Sequence, residues 1–432
     1  MKNNAIFVCG ECGHESLRWA GQCPSCHAWN SMKEFKQEQT SGGMKSPEPG
    51  KAIETYKIEN IKSKTLQRVD VGMSLIAKVL GGGLAKGSIL LLGGNPGVGK
   101  STLLLGMAKK IQGKVLYFSG EESLEQIKDR ATRILGGSLK NMLIACETNL
   151  QNIIATVEVE KPEVVIIDSV QTITSSSSAA SAGTLIQVRE VAMQLQKIAK
   201  STGTVFILVG HVTKDGDIAG PKILEHIVDG VFYLEQESDE IRLLRSAKNR
   251  FGSTQEMALL KMDQDGMQEI EHPEAAFLRK SDLGLAGSVI AAVSEGSRVM
   301  LVEIQALVVP TIFGYPRRSA VGVHPQRLEL ILAVLDRRAR VNLRNYDVYV
   351  KATAGFAARE ENTDLAIALA LCSAFQNKPI DKRWCIFGEV GLLGEIRQPA
   401  DSSARQKAAK SLGLSKIVKS RKIDEAIKEV LT

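Results

Sequence analysis

No stretch of this 432-residue chain approaches the ~20 consecutive apolar residues that a bilayer-spanning helix requires; the nearest, residues 365–375, is too short. No membrane partner is therefore expected. The first nine residues reach polar groups and a cysteine without an apolar signal core, so the expected location is cytoplasmic. Cysteine is scarce, with seven in all, and in a reducing compartment these are not expected to form structural disulfides. No sign of charge dominates: 55 basic and 48 acidic residues leave +7, a mild tilt toward anionic partners. No internal repeat is visible. The 44% hydrophobic and 24% charged fractions are ordinary for a globular protein. The length suits two or three domains, each able to bury a core.

What is present is concentrated in a few segments. Residues 94–101 read Gly-Asn-Pro-Gly-Val-Gly-Lys-Ser, a complete phosphate-binding loop. An apolar run at 88–92 precedes it, and 102–108 follow with helical spacing, which is the strand–loop–helix setting the motif needs. Gly94, Asn95, Pro96, Gly97, Val98 and Gly99 form the loop, whose backbone N–H groups (Pro96 has none) converge on phosphates, and the helix start at Lys100, Ser101 and Thr102 adds partial positive charge. Lys100 is placed to reach the β and γ phosphates of ATP, and Ser101 to hold Mg²⁺. Residues 164–168 form an apolar strand ending in Asp168, the second candidate Mg²⁺ ligand. Glu121 follows the second strand, at the sheet edge where ligands bind, and is a candidate base for the attacking water. The competing reading is an acid favoured by a helix N-terminus, as at Glu122.

Four of the cysteines form two Cys-x-x-Cys pairs, Cys9 with Cys12 and Cys23 with Cys26. Two such bites supply tetrahedral thiolate coordination with no open position, so the expected cofactor is a structural Zn²⁺. His14 and His27 are read as bystanders, and Cys146, Cys372 and Cys385 as core residues.

From this pattern the expected organisation is a zinc module at 1–32, a linker at 33–60, a mostly parallel α/β ATPase domain at 61–275 and a second α/β domain at 285–432. Strands are expected at 88–93, 114–119, 142–145, 163–168 and 204–210. Segments 230–235, 241–247 and 256–262 lack intervening helices and are expected to form an antiparallel extension.

The phosphate loop with an acid after the second strand resembles the RecA-type ATPase fold. Residues 248–252, Lys-Asn-Arg-Phe-Gly, and 210–222, including Gly-His-Val-Thr-Lys-Asp-Gly, are similar to the signatures of the RadA (Sms) family of bacterial DNA repair proteins. The four-cysteine module and a C-terminal region resembling the Lon protease fold complete a likeness that spans essentially the whole chain. The resemblance implies a hexameric, ring-forming, DNA-dependent ATPase of homologous recombination. It would drive branch migration on single-stranded and branched DNA, with RecA and single-strand-binding protein as partners. It also implies that the 248–252 segment acts in ATP response and DNA binding. Lys248 and Arg250 then become candidates for positive charge supplied to a neighbouring subunit's γ-phosphate; the alternative is a basic turn with Phe251 in the core. His211 takes the place of the γ-phosphate sensor, or is a structural histidine.

Two loops are candidates for DNA contact: an uncharged Ser/Ala/Gly run at 174–183, and residues 214–222 with two lysines and two glycines. Neither holds an aromatic residue, so contacts to phosphates rather than base stacking are expected. Between 317 and 359, nine basic residues face three acidic ones, with Arg337, Arg338 and Arg340 the densest group. In the Lon-like region Thr363 stands at the nucleophile position and Ser403 at the base position, with Lys407 one helical turn on. A hydroxyl without its amine is a poor nucleophile, so a non-proteolytic scaffold is expected. Two functional readings besides the motor stay open: an ATP-switched recombination mediator and an ATP-dependent protease.

Overall fold

The computed structural model describes residues 6–9, 15–16, 18–24, 29, 32–35, 57, 59, 66–136, 140–176, 182–210, 221–237, 239–264, 266–272, 278, 284–312, 314–353, 358 and 360–431. Of the expected 33–60 linker, residues 33–35 belong to strand Met32–Phe35, and 36–56, 58 and 60 lie outside the described residues, as do Cys12, Cys26, His14, His27, His211 and residues 214–220 of the second loop. The chain divides into two compact units. One is Met1–Leu234 with Ser246–Thr254 and Gln264–Met267; the other is Glu235–Arg245 with Gln255–Asp263 and Gln268–Thr432.

In the first unit, six strands run parallel in the order Gly230–Gln236, Ile89–Gly93, Val205–Val209, Val164–Asp168, Val115–Ser119 and Met142–Cys146. The inner strands are continuous apolar runs because helices cover both faces of such a sheet; Ile89–Gly93, Val115–Ser119 and Val205–Val209 are buried at every position. The register aligns Leu91, Leu208, Ile167 and Phe118 across the sheet, and Asp168 beside Ser119 at its C-terminal edge. The strand after the phosphate loop in sequence is not its neighbour in space, since Val205–Val209 and Val164–Asp168 intervene. That switch of order opens the crevice in which such sheets bind ligands.

Local signals set the crossover helices. Ser123 caps helix Leu124–Leu135 and exchanges bonds with Gln126 in a capping box, and Gly136 closes it in the left-handed conformation. Asn149 caps Leu150–Glu160 through its side-chain oxygen. A separate antiparallel sheet of Glu15–Ser16, Ile6–Cys9 and Met32–Phe35 forms the N-terminal module, where Cys9, Cys23 and Met32 are buried together with Phe7 packed against them.

The second unit has a four-stranded sheet in the order Ser288–Glu295, Arg298–Pro310, Tyr346–Ala352 and Arg318–Val321. The apolar 365–375 run forms most of helix Asp364–Gln376, buried from Asp364 to Ser373 as a core element. No helix of the described residues is long and apolar enough to cross a membrane. Of the three segments expected as an antiparallel extension, 230–235 instead runs parallel to Ile89–Gly93, because helix Pro221–Ile227 supplies the crossover before it; those at 241–247 and 256–262 pair antiparallel. Their side chains Leu243, Met257 and Leu259, however, belong to the core of this second unit, because their apolar face packs with Val293, Met300 and Val302.

Candidate nucleotide site

The fully buried strand Ile89–Gly93 delivers the chain to the loop, and helix Lys100–Lys110 leaves it. Between them the backbone must bend in ways that require glycine: Gly99 takes φ +107° as the helix N-cap, and a Cβ on Gly94 would lie 2.5 Å from the Leu234 carbonyl oxygen. Val98 is buried and anchors the loop, whereas Asn95, Pro96 and Gly97 are exposed. The space beside Gly97 is open, with nothing within 4 Å of where a Cβ would stand. This is the cradle a phosphate chain needs.

Lys100 is 5% exposed, and its ammonium donates to the carbonyls of Gly94 at 2.8 Å and Asn95 at 3.1 Å. Burial lowers its pKa from the usual lysine value, opposed by the charges of Asp168 and Glu121. Ser101 Oγ donates to Asp168 Oδ2 at 2.6 Å, so two residues 67 positions apart meet below the loop. Ser169 Oγ donates to Glu121 Oε1 at 2.5 Å. Pro96, Gly97, Lys100, Thr102, Glu121 and Asp168 line a cavity of about 400 Å³, the size range of small-ligand sites.

Sequence reasoning missed three groups that hold the carboxylates lining this cavity. Tyr117 donates from its hydroxyl to Asp168 Oδ2 at 2.6 Å; burial and then the Asp168 charge push its pKa well above that of an ordinary phenol, so it stays a donor. Arg130 grips Glu122 with both guanidinium nitrogens, Nη1 to Oε2 at 2.7 Å and Nη2 to Oε1. Glu122 thus precedes the Ser123 cap and faces a cation; the first-turn acid of the following helix is Glu125. Ser169 is the third. The only signal for Tyr117 was a hydroxyl on a strand with no other polar side chain before Ser119, since buried tyrosines take hydrogen-bond partners.

Lys248 and Arg250 are not at this cavity. Lys248 Nζ donates to the Val228 carbonyl at 2.9 Å and to that of Glu225, at the end of helix Pro221–Ile227. Arg250 pairs with buried Asp229 at 3.2 Å, and Asp229 Oδ2 accepts the N–H of Ile89 at 3.1 Å. Ile89 is the first residue of the strand that ends at Gly93, so at the rise of a strand this contact lies about 13 Å from the loop end. Phe251 is half-buried. Its carbonyl accepts from Arg68 at 3.2 Å, and Asn249 donates to the Val79 carbonyl at 3.1 Å.

The remaining candidates lie in the second unit. Thr363 is wholly buried; its hydroxyl donates to the Glu360 carbonyl at 2.8 Å, and a guanidinium nitrogen of Arg327 stands 3.4 Å away. Ser403 and Lys407 are exposed. A buried arginine that the sequence did not signal, Arg405, holds Glu360 with two 2.7 Å bonds and Asp401 with one of 2.9 Å. In the basic segment, Arg327 is paired with Asp364, Arg344 with Asp336 at 2.5 Å, and Arg318 donates to the carbonyls of Tyr346 and Leu343. Less of that charge is therefore available to a partner than the composition suggested. Arg337, Arg338 and Arg340 are exposed, while Arg359 lies outside the described residues.

A glycine-bent loop over a parallel sheet, a lysine at its helix, a hydroxyl–carboxylate pair below and a second carboxylate beside it define a RecA-like, phosphate-loop ATPase. Residues 74–217 match a family model described as an AAA domain, and residues 7–34 one described as a rubredoxin metal binding domain. DNA repair protein RadA of Listeria monocytogenes serovar 1/2a is 43% identical over 420 residues, covering 96% of this chain and 92% of the relative. That of Bacillus subtilis strain 168 is 42% identical over 424 residues with the same coverage. The chain belongs to the DNA repair protein RadA family. Among solved structures, a KaiC-like protein from Pyrococcus horikoshii OT3 aligns with a TM-score of 0.40 at 21% identity, over 48% of this chain and 99% of that one.

Proposed function

We propose that this chain is a DNA-dependent ATPase of homologous recombination and DNA repair, acting as a hexameric ring that couples hydrolysis to branch migration. The observation that carries the ATPase half is the convergence of Lys100, Ser101, Glu121 and Asp168 on one cavity. Lys100 reaches the β and γ phosphates, residues 94–102 cradle them, and Glu121, oriented by Ser169, takes the proton of the attacking water. Ser101 and Asp168 are the residues that would hold Mg²⁺. Their 2.6 Å contact fits that role, since a hydroxyl that donates to the carboxylate keeps its oxygen lone pairs for a cation. Mg²⁺, when bound, neutralises charge on the transferring phosphoryl group.

The assignment of Lys248 and Arg250 to a neighbouring subunit's nucleotide is supported by their distance from their own loop along strand Ile89–Gly93. A site assembled from two subunits is complete only in a ring. DNA follows from the family, and RecA and single-strand-binding protein are further partners under the same reading. Cys9, Cys12, Cys23 and Cys26 would hold Zn²⁺ as a structural ion, supported by the joint burial of Cys9 and Cys23 in one small cluster. The second unit serves as a scaffold without proteolysis. Its Thr363 hydroxyl is sealed from solvent and already committed to a carbonyl.

The test is a mixing experiment. Lys100→Ala and Arg250→Ala proteins, each inactive alone, are combined and assayed for DNA-stimulated phosphate release and for branch migration. Recovery of hydrolysis on mixing is expected, because some interfaces then pair an intact Lys100 with an intact Arg250. No recovery at any ratio rejects the shared site. Hydrolysis without branch migration in the wild-type protein would favour an ATP-switched mediator.

A further inference from the structure

We propose that Tyr117 is a positioning residue for Asp168, holding one carboxylate oxygen so that the other is offered to the nucleotide's cation. The inference rests on the reading of Asp168 as a Mg²⁺-shell residue.

Three observations carry it. First, Tyr117 and Ser101 both donate to the same oxygen of Asp168, Oδ2, each at 2.6 Å. No hydrogen bond to Oδ1 occurs among the described residues. A carboxylate held through one oxygen by two fixed hydroxyls has its rotation set, and the other oxygen keeps its acceptor capacity. Second, the donor is immobile: Tyr117 is 1% exposed on strand Val115–Ser119, which is paired on both sides. The sheet register pairs Ser119 with Asp168. Tyr117 lies two residues earlier on the same face of its strand, and so reaches Asp168 as a diagonal neighbour. Third, packing does not call for this hydroxyl. Phe118, the next residue, is equally buried at 1% with a plain ring, so the sheet accommodates an aromatic side chain without a polar tip. The Tyr117 hydroxyl is instead spent on a carboxylate that lines the nucleotide cavity.

A merely structural tyrosine and a positioning one predict different responses to the cation. Binding of a fluorescent ADP to the full-length protein is measured in EDTA and over a Mg²⁺ titration, for wild type, Tyr117→Phe and Asp168→Asn. Asp168→Asn should lose the Mg²⁺-dependent tightening. If it does not, the reading of Asp168 has failed, and the proposal falls with it. With that reading intact, Tyr117→Phe should keep wild-type ADP affinity in EDTA and need roughly tenfold more Mg²⁺ for half of the tightening, the usual scale for loss of an outer ligand-orienting bond. A wild-type Mg²⁺ response in Tyr117→Phe overturns the proposal. So does an equal loss of ADP affinity in EDTA and in Mg²⁺, which would mark the hydroxyl as structural only.

Discussion

The nucleotide cavity of the first unit and the Arg405 cluster of the second are built from the same kinds of ingredient, cations, carboxylates and hydroxyls, yet only one is arranged for chemistry. Around the phosphate loop, Lys100, Glu121 and Asp168 line about 400 Å³ of open space. Around Arg405 the same kinds of group close on one another. The arginine is 1% exposed, its guanidinium donates to Glu360, Asp401 and the Ala292 carbonyl, and Ser294 donates to both carboxylates. A reactive site keeps bonding capacity in reserve for its ligand, whereas a scaffold consumes it internally. The Thr363 hydroxyl, near this cluster through Glu360, falls on the scaffold side of that divide.

The largest effect that would test this contrast is on stability. Arg405→Ala leaves Glu360 and Asp401 without their buried cation, and breaking such a pair costs about 3–5 kcal/mol. Calorimetry should show a transition shifted down, with nucleotide affinity unchanged; a loss below about 1 kcal/mol would show the cluster to be incidental. Next in size, Lys100→Ala should lower DNA-stimulated phosphate release by roughly 10²–10³-fold, the scale of removing one electrostatic interaction from a transition state. Thermal stability and zinc content should not change. Retained hydrolysis would mean the reaction happens elsewhere. A smaller effect is expected from charge reversal of exposed Arg337, Arg338 and Arg340, measured as DNA affinity against salt. If these residues bind phosphates, the slope of log affinity on log salt should flatten by about one for each phosphate no longer neutralised, and an unchanged slope retires the surface. The smallest effect is none. Thr363→Val should leave casein uncut in the presence of ATP, as in the wild type, and any wild-type proteolysis abolished by this change would reverse the reading of the second unit.

Much of the nucleotide site was legible in the order of residues because its key signals are local. Residues 94–102 carry a loop geometry, a helix start and two ligating side chains within nine positions. Asp168 ends an apolar run that names its own strand. What escaped were partnerships across sequence distance. Tyr117 meets Asp168 over 51 positions and Ser169 meets Glu121 over 48, and both depend on how Val115–Ser119 is registered against Val164–Asp168. Arg130 carries no signal in the sequence that separates it from the other cations of its helix, and only the fold brings Glu122 into its grip. Arg405 sits in a Ser-Ser-Ala-Arg-Gln-Lys stretch that reads as solvated helix. Its burial depends on Glu360, which arrives from another segment to join Asp401, four residues earlier at the start of the same helix, in neutralising it. The antiparallel pairing of 241–247 with 256–262 was recognisable because no helix separates them, but nothing in that pattern told which core their apolar face would join.

By itself the sequence determined that this chain grips a nucleotide's phosphates, that a parallel sheet supports the grip, and that four thiols stand ready at metal-ligand spacing. Each of these is written in short windows, where backbone freedom at glycine, apolar periodicity and ligand spacing act over a few residues. The tertiary structure decided the rest: that Tyr117 and Ser101 share one oxygen of Asp168, that Lys248 and Arg250 stand at the far end of the strand from their own loop, and that Arg405 is locked away. Those outcomes depend on register and on the low-dielectric interior, where a polar group's role is fixed by whichever partner, however distant in sequence, folding brings within hydrogen-bond reach.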